Sequence, residues 1–111
     1  MTALWKKRNK MFNSKITEEK DYLVLELKGD LDVYSEDEFR SFVEENLTGI
    51  DKDLVIDLKD LDYLDSTGLG LFMKAYKILD EKGLGFKIIN PKENIYKLFK
   101  ITDLLGIFNM E

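Results

Sequence analysis

The segment Tyr63-Leu64-Asp65-Ser66-Thr67-Gly68-Leu69-Gly70-Leu71-Phe72 holds the side chains best suited to chemistry in this chain. A carboxylate precedes two hydroxyls, and a Gly-x-Gly follows them. A hydroxyl in that setting could be a nucleophile, a phosphate ligand or the acceptor of a transferred group. A nucleophilic serine needs a base, and the chain has 0 His and 0 Cys. Those absences exclude a Ser-His-Asp triad and a Cys-His pair, an ordinary zinc site, disulfides and thiol redox chemistry. A nucleophile elbow requires Gly-x-Ser-x-Gly, and Ser66 lacks the first glycine. A phosphate-binding loop requires Gly-Lys-Ser/Thr, whereas Leu71 and Phe72 follow Gly70. A dinucleotide fingerprint requires a third glycine and a place after the first strand. A small nucleotide-binding protein built on the Gly68-Leu69-Gly70 turn is therefore a rival reading, with the missing Lys and the acidic surroundings against it. Titration calorimetry with nucleotide disposes of that rival if no heat appears.

Two glycines near a helix start weaken the first turns, at about 1 kcal/mol each against Ala. They also let another chain or ligand approach the backbone. Close packing of the helix on its own sheet is the plainer account of the same glycines. Asp65 or Ser66 suits the N-cap, where a side-chain oxygen accepts from the first free amides.

The elements that must hold this segment are legible in the periodicity. Tyr22 to Lys28 alternates, with Leu23, Leu25 and Leu27 on one face and Val24 and Glu26 on the other, as a half-buried strand does. Met11 to Ile16 is a weaker strand that pairs antiparallel with it through a turn at Glu18 to Asp21. Ser35-Glu36-Asp37-Glu38 reads as a capping box, Ser35 serving the N3 amide and Glu38 reaching back. Phe39, Phe42, Val43 and Leu47 form the apolar stripe of the helix that follows. Leu54 to Leu58 is a short buried strand, and Lys59 to Asp65 is expected to be a loop. A second helix runs from about Ser66 to Lys82, with Gly83 as its left-handed cap. Phe86 to Asn90 is a further strand, which Pro91 bars from extending. Ile95, Leu98 and Phe99 mark a third helix, and Leu104, Leu105, Ile107 and Phe108 a short terminal one. Strands alternating with helices predict an α/β fold. The expectation is a single-domain mixed sheet of about four to five strands with about four helices.

Composition bounds the partners. The chain has 111 residues, enough for one domain. Its 17 basic and 22 acidic side chains give a net charge of −5, which argues against duplex nucleic acid as the main partner. No apolar run approaches the roughly 20 residues of a membrane span, and no secretory signal is expected. The absence of Cys is compatible with a reducing, cytoplasmic setting. Residues 1–10 carry Lys6, Lys7, Arg8 and Lys10 and read as an N-terminal tail or the start of a first strand. No function is placed there.

The run LDYLDSTGLGLF resembles the signature of STAS domains, specifically the bacterial anti-sigma factor antagonists. LKGDLDVYSEDEFRSFVEENL is similar to that family's block before the first helix, and ENIYKLFKITDLLGIF to its closing helices. The three blocks come in the family's order and cover nearly the whole chain, so residues 11–111 are expected to form a STAS domain. The N-terminal segment exceeds what the family has before its first strand.

The resemblance implies a partner switch and no enzyme activity. The unphosphorylated form binds an anti-sigma factor that is also a serine kinase, and the sigma factor is freed. The kinase phosphorylates Ser66, and a separate phosphatase restores the active form. The kinase supplies ATP and Mg²⁺, so neither a cofactor nor a metal is expected in this chain. Asp32, Asp65, Thr67, Gly68, Leu69 and Gly70 are the implied partner-binding residues. Asp32 contacts the kinase or helps present Ser66. Thr67 forms a hydrogen bond at the helix start and is the alternative phosphoacceptor. Leu69 packs in the core or faces the partner. Asp32, Asp57, Asp60, Asp62 and Asp65 are expected near one end of the sheet, where phosphate would deepen an acidic surface. The second reading within the family is a scaffold or sensor subunit without a kinase, stressosome-like or transporter-associated.

Overall fold

The computed structural model describes residues 11–104 and 106–108. The N-terminal segment and Leu105 lie outside them. Four strands and three helices alternate: β1 (Asn13–Glu18), β2 (Tyr22–Leu31), α1 (Glu36–Leu47), β3 (Asp53–Leu64), α2 (Ser66–Glu81), β4 (Phe86–Ile89) and α3 (Glu93–Ile101). The sheet order is β1-β2-β3-β4. β1 is antiparallel to β2, and β2, β3 and β4 are mutually parallel neighbours. The mixed α/β fold expected from the pattern is the fold observed, with three helices among the described residues.

The apolar periodicity explains the layers. Leu25, Leu27 and Leu31 of β2 and Leu54, Ile56 and Leu58 of β3 are fully buried or nearly so. Between them, Val24, Glu26 and Lys28 stay partly or wholly exposed. Phe39 of α1, Phe72 of α2 and Phe99 of α3 form a row of rings against the leucines, with centroids 5.9 and 6.0 Å apart. Phe12 extends the row at one end and Phe108 at the other. Aromatic pairs in such contact add about 0.5–1.5 kcal/mol each beyond their area, so the row ties the helical layer together. The described residues 102–104 and 106–108 form no helix, and Phe108 is buried in the core; Leu105, part of the expected terminal helix, lies outside the described residues.

Lys59 to Asp65 is not a loop, because β3 runs on to Leu64. The alternation is hidden by two register shifts against β2, between Glu26 and Lys28 and between Gly29 and Asp30. At each, β3 carries an extra residue, a β-bulge. The buried positions then fall at Leu58, Leu61 and Leu64, a spacing of three that a period of two cannot recognise. The bulge amide of Lys59 donates to Asp57 Oδ1 at 3.0 Å.

The capping box expected at Ser35 is absent. Ser35 occupies the N-cap position of α1 but makes no side-chain cap bond. Its Oγ donates to the Asp30 carbonyl at 2.9 Å and accepts from the Asp32 amide at 3.0 Å. Its own amide donates to the Asp32 carbonyl at 3.1 Å, not to Glu38. The serine is committed to the loop before it, so the capping box does not form.

Candidate functional site

The last β3–β4 pair is Asp57 opposite Ile89, whereas β2 and β3 stay paired to Leu31 and Leu64. β3 therefore runs seven residues past the end of β4, about 20 Å at 3.3 Å per residue less the bulges, as a ribbon with β2 that β1 still flanks as far as Asn13 opposite Lys28. Its exposed edge is covered rather than open. Lys92 pairs with Asp62, and Asn94 Nδ2 donates to the Asp62 carbonyl at 3.2 Å. The candidate site crowns this ribbon.

Asp65 leaves β3 in an extended conformation and caps α2. Its Oδ1 accepts from the amides of Thr67 at 3.0 Å and Gly68 at 3.3 Å. Its own amide donates to the Leu31 carbonyl at 3.4 Å, which fastens the helix start to the end of β2. Ser66 is the first residue of the helix and is exposed, Thr67 and Leu69 are partly buried, and Gly68 is buried. Leu69 packs against the core from that half-exposed position.

The two glycines differ in kind. A Cβ on Gly68 would stand 2.4 Å from Leu64 Cδ1 and 2.8 Å from Leu31 Cγ. The space beside Gly68 is thus filled by this chain's own strand ends and leaves no room for a phosphate cradle. Gly70 is exposed, with no heavy atom within 4 Å of its would-be Cβ among the described residues.

Asp32 is 5% exposed. Its Oδ1 accepts from the Tyr34 amide at 2.9 Å, which folds residues 32–35 into a tight turn. With so little surface, Asp32 has few atoms to offer a partner, and what it does in the structure is shape the loop. That loop turns Val33 and Tyr34 outward. Neither they nor Ser35 stands out in the sequence as part of this site. An apolar pair just ahead of a helix start, outside any periodic stripe, is the one signal that was available.

The five acids expected near one end of the sheet all lie at or beyond the end of β4, strung along the ribbon rather than gathered at the serine. Asp32 and Asp65 adjoin through Leu31, but Asp57 lies at the base of the ribbon, bonded to Asn90 Nδ2 at 3.2 Å and to Lys59. Burial alone would raise the Asp57 pKa. The hydrogen bonds from the Lys59 amide, Asn90 and the Lys59 ammonium outweigh it and hold the carboxyl below its ordinary value. Asp62 is engaged by Lys92, and Asp60 pairs in register with Lys28. Among the described residues no group of three acidic side chains is placed to share a cation. No helix there is long and apolar enough to cross a membrane.

Residues 13–111 match the family model described as STAS domain. The chain is 34% identical over 98 residues to the anti-sigma-B factor antagonist of Bacillus subtilis, spanning 88% of this chain and 89% of that one. An anti-sigma factor antagonist from Mycobacterium paratuberculosis superposes with a TM-score of 0.81 at 19% identity, covering 90% of this chain and 85% of that one. The anti-sigma factor antagonist SpoIIAA superposes in its unphosphorylated form with a TM-score of 0.74 at 20% identity, covering 91% of this chain and 86% of that one. The phosphorylated form of the Bacillus protein gives 0.69 at 22% identity, covering 91% and 89%.

Proposed function

The chain belongs to the STAS domain family, and from that premise we propose that it is an anti-sigma factor antagonist switched at Ser66. Unphosphorylated, it binds an anti-sigma factor that is also a serine kinase, and so releases the sigma factor. Transfer of the γ-phosphoryl of ATP to Ser66 Oγ, with loss of the hydroxyl proton, ends that binding. A phosphatase reverses the modification. The chain is ligand and substrate rather than enzyme, in the cytoplasm, and neither nucleic acid nor membrane is a partner. Residues 11–111 make up the STAS unit.

The observation that carries this reading is the placement of Ser66. It is an exposed hydroxyl on a helix start whose backbone is fixed from below by Asp65, Leu31 and Leu64. It has no histidine to activate it, so the chemistry must come from another protein. A phosphoryl group adds about −1.5 to −2 charges, and a helix N-terminus tolerates that charge. The fold therefore has no reason to open, and the effect falls on whatever docks there. Asp65, Thr67, Gly68, Leu69 and Gly70 form the backbone platform around the serine, and Asp32 sets the neighbouring loop. Anti-sigma-B factor antagonists among the relatives support the same reading.

The test is incubation with purified anti-sigma serine kinases of the same genome and Mg-ATP, followed by phosphosite mapping. Label on Ser66 alone is expected. Ser66→Ala should bind its kinase and stay bound in ATP, and Ser66→Asp should bind weakly. Label confined to Thr67 would move the switch by one residue. No label from any such kinase would instead favour the scaffold or sensor role. A Ser66→Asp variant binding as tightly as wild type would remove the charge mechanism.

A further inference from the structure

We infer that Val33 and Tyr34 form an apolar anchor beside the phosphoacceptor, received by the kinase in an apolar recess with a basic rim. The inference rests on the function proposed above and adds to it the feature that gives docking its hold.

Val33 is 60% exposed and Tyr34 73% exposed, side by side in one loop. Single apolar side chains on a surface need no explanation. This pair differs in how it is held. The Tyr34 amide donates to Asp32 Oδ1, the Ser35 amide to the Asp32 carbonyl, and the buried Ser35 Oγ joins the Asp32 amide to the Asp30 carbonyl. The loop that carries two water-exposed apolar side chains is thus fixed by buried polar bonds. Little backbone entropy remains to be lost on docking. Tyrosine is also among the residue types that dominate interface energetics.

The pair sits on the loop that continues the strand end packed under the start of α2. Leu31 touches the Gly68 position and accepts from the Asp65 amide. Val33 follows Leu31 by two residues, a span of at most about 7 Å between Cα atoms. One surface of the partner can therefore cover the anchor and reach the serine together. The flanks supply the charge. Glu36, Asp37 and Glu38 form the first turn of α1 directly after the loop, and Asp65 caps the helix against which the strand end before the loop packs. Arg40 answers Glu36 and Asp37 from within the same helix, but the acids still outnumber it. An apolar centre with an acidic border calls for an apolar recess with a basic border. The other exposed apolar residues do not share this setting. Met11 stands alone ahead of β1, Tyr22 is at the opposite end of β2, Tyr96 and Ile101 belong to α3, and Ile107 to the terminal turn.

The decisive experiment measures binding of the unphosphorylated chain to its anti-sigma serine kinase with a non-hydrolysable ATP analogue, by calorimetry. A Val33→Ser/Tyr34→Ala double variant is expected to bind about 30-fold more weakly. Its melting temperature should stay within about 2 °C of wild type, since neither side chain is buried. In ATP, Ser66 should still be phosphorylated at the wild-type kcat but with a raised KM. Tyr34→Phe should bind within about threefold of wild type, because the ring rather than the hydroxyl is the anchor. The inference is overturned by a double variant that binds within threefold of wild type, or by Tyr34→Phe losing as much as Tyr34→Ala. The two levels separate cleanly. If wild type itself is neither bound nor labelled, the antagonist reading falls and the anchor with it. If wild type is bound and labelled but the double variant binds equally well, the anchor alone falls.

Discussion

Replacing Gly68 and Gly70 by alanine, one at a time, sets two opposing forces against each other in the same helix. Each change removes the conformational freedom of glycine and favours α2 by about 1 kcal/mol. At Gly70 nothing opposes that gain, since no heavy atom among the described residues lies within 4 Å of the new methyl group. Gly70→Ala is therefore expected to raise the melting temperature by about 4 °C, the shift that about 1 kcal/mol produces in a domain of this size. At Gly68 the methyl group would meet Leu64 Cδ1 at 2.4 Å, Leu31 Cγ at 2.8 Å and Leu31 Cδ2 at 3.0 Å. The leucines have nowhere to retreat, because Leu31 is 0% and Leu64 6% exposed. Overpacking of that kind costs about 2–3 kcal/mol. After the helix gain, a net loss of about 1–2 kcal/mol remains, or a melting temperature lower by about 4–8 °C. Thermal unfolding followed by far-ultraviolet circular dichroism reads both shifts. If Gly68→Ala stabilises the protein as Gly70→Ala does, then the close approach of α2 to the strand ends is not what requires glycine at 68. Gly70→Ala carries a second expectation through the proposed function. It should weaken kinase binding while stabilising the fold, because the methyl group takes up space at the docking surface.

Three further outcomes follow from the same geometry. Asp65→Ala deprives the Thr67 and Gly68 amides of their acceptor and should lower stability by about 1 kcal/mol, with Asp65→Asn largely restoring the melting temperature. Ser35→Ala removes the acceptor of the buried Asp32 amide; a loss of about 1–3 kcal/mol should appear as a lower urea midpoint, and an unchanged midpoint would mean that Ser35 does not organise the loop. The native Asp57 pKa lies below its unfolded value, so its contribution is complete above about pH 4 and is lost as pH falls through the native pKa. Urea titrations of wild type and Asp57→Asn across that range should converge on acidification, and parallel curves would refute the assignment.

Much of the site was legible in the sequence because its chemistry is local. Asp65, two hydroxyls and two glycines in consecutive order specify a helix start, and the cap bonds reach only two and three residues forward. The identity of the strands was legible for the same reason, since alternation over Leu23 to Leu27 needs no tertiary information. The length of β3 was not. Its acidic residues Asp60 and Asp62 resemble loop residues until the bulges are known, and a bulge is a property of the pair with β2. Ser35 shows another limit. Its hydroxyl had two sets of partners within reach, the helix amides ahead and the turn behind, and only the packed loop decides between them. The burial of Asp32 and the exposure of Tyr34, two residues apart, likewise depend on the turn that residues 30–35 close.

The cap at Asp65 has a consequence for what kind of signal Ser66 could carry. In many phosphate sites the free amides of a helix start close around the anion and hold it. Here the amides of Thr67 and Gly68 are already committed to the Asp65 carboxylate. An incoming phosphate would find those donors occupied and a negative charge beside them, so it would stay turned toward water. Such a mark behaves as a flag rather than a latch. It stores little conformational energy, it leaves the ester open to a phosphatase, and its lifetime is set by the enzymes that write and erase it rather than by the domain that bears it.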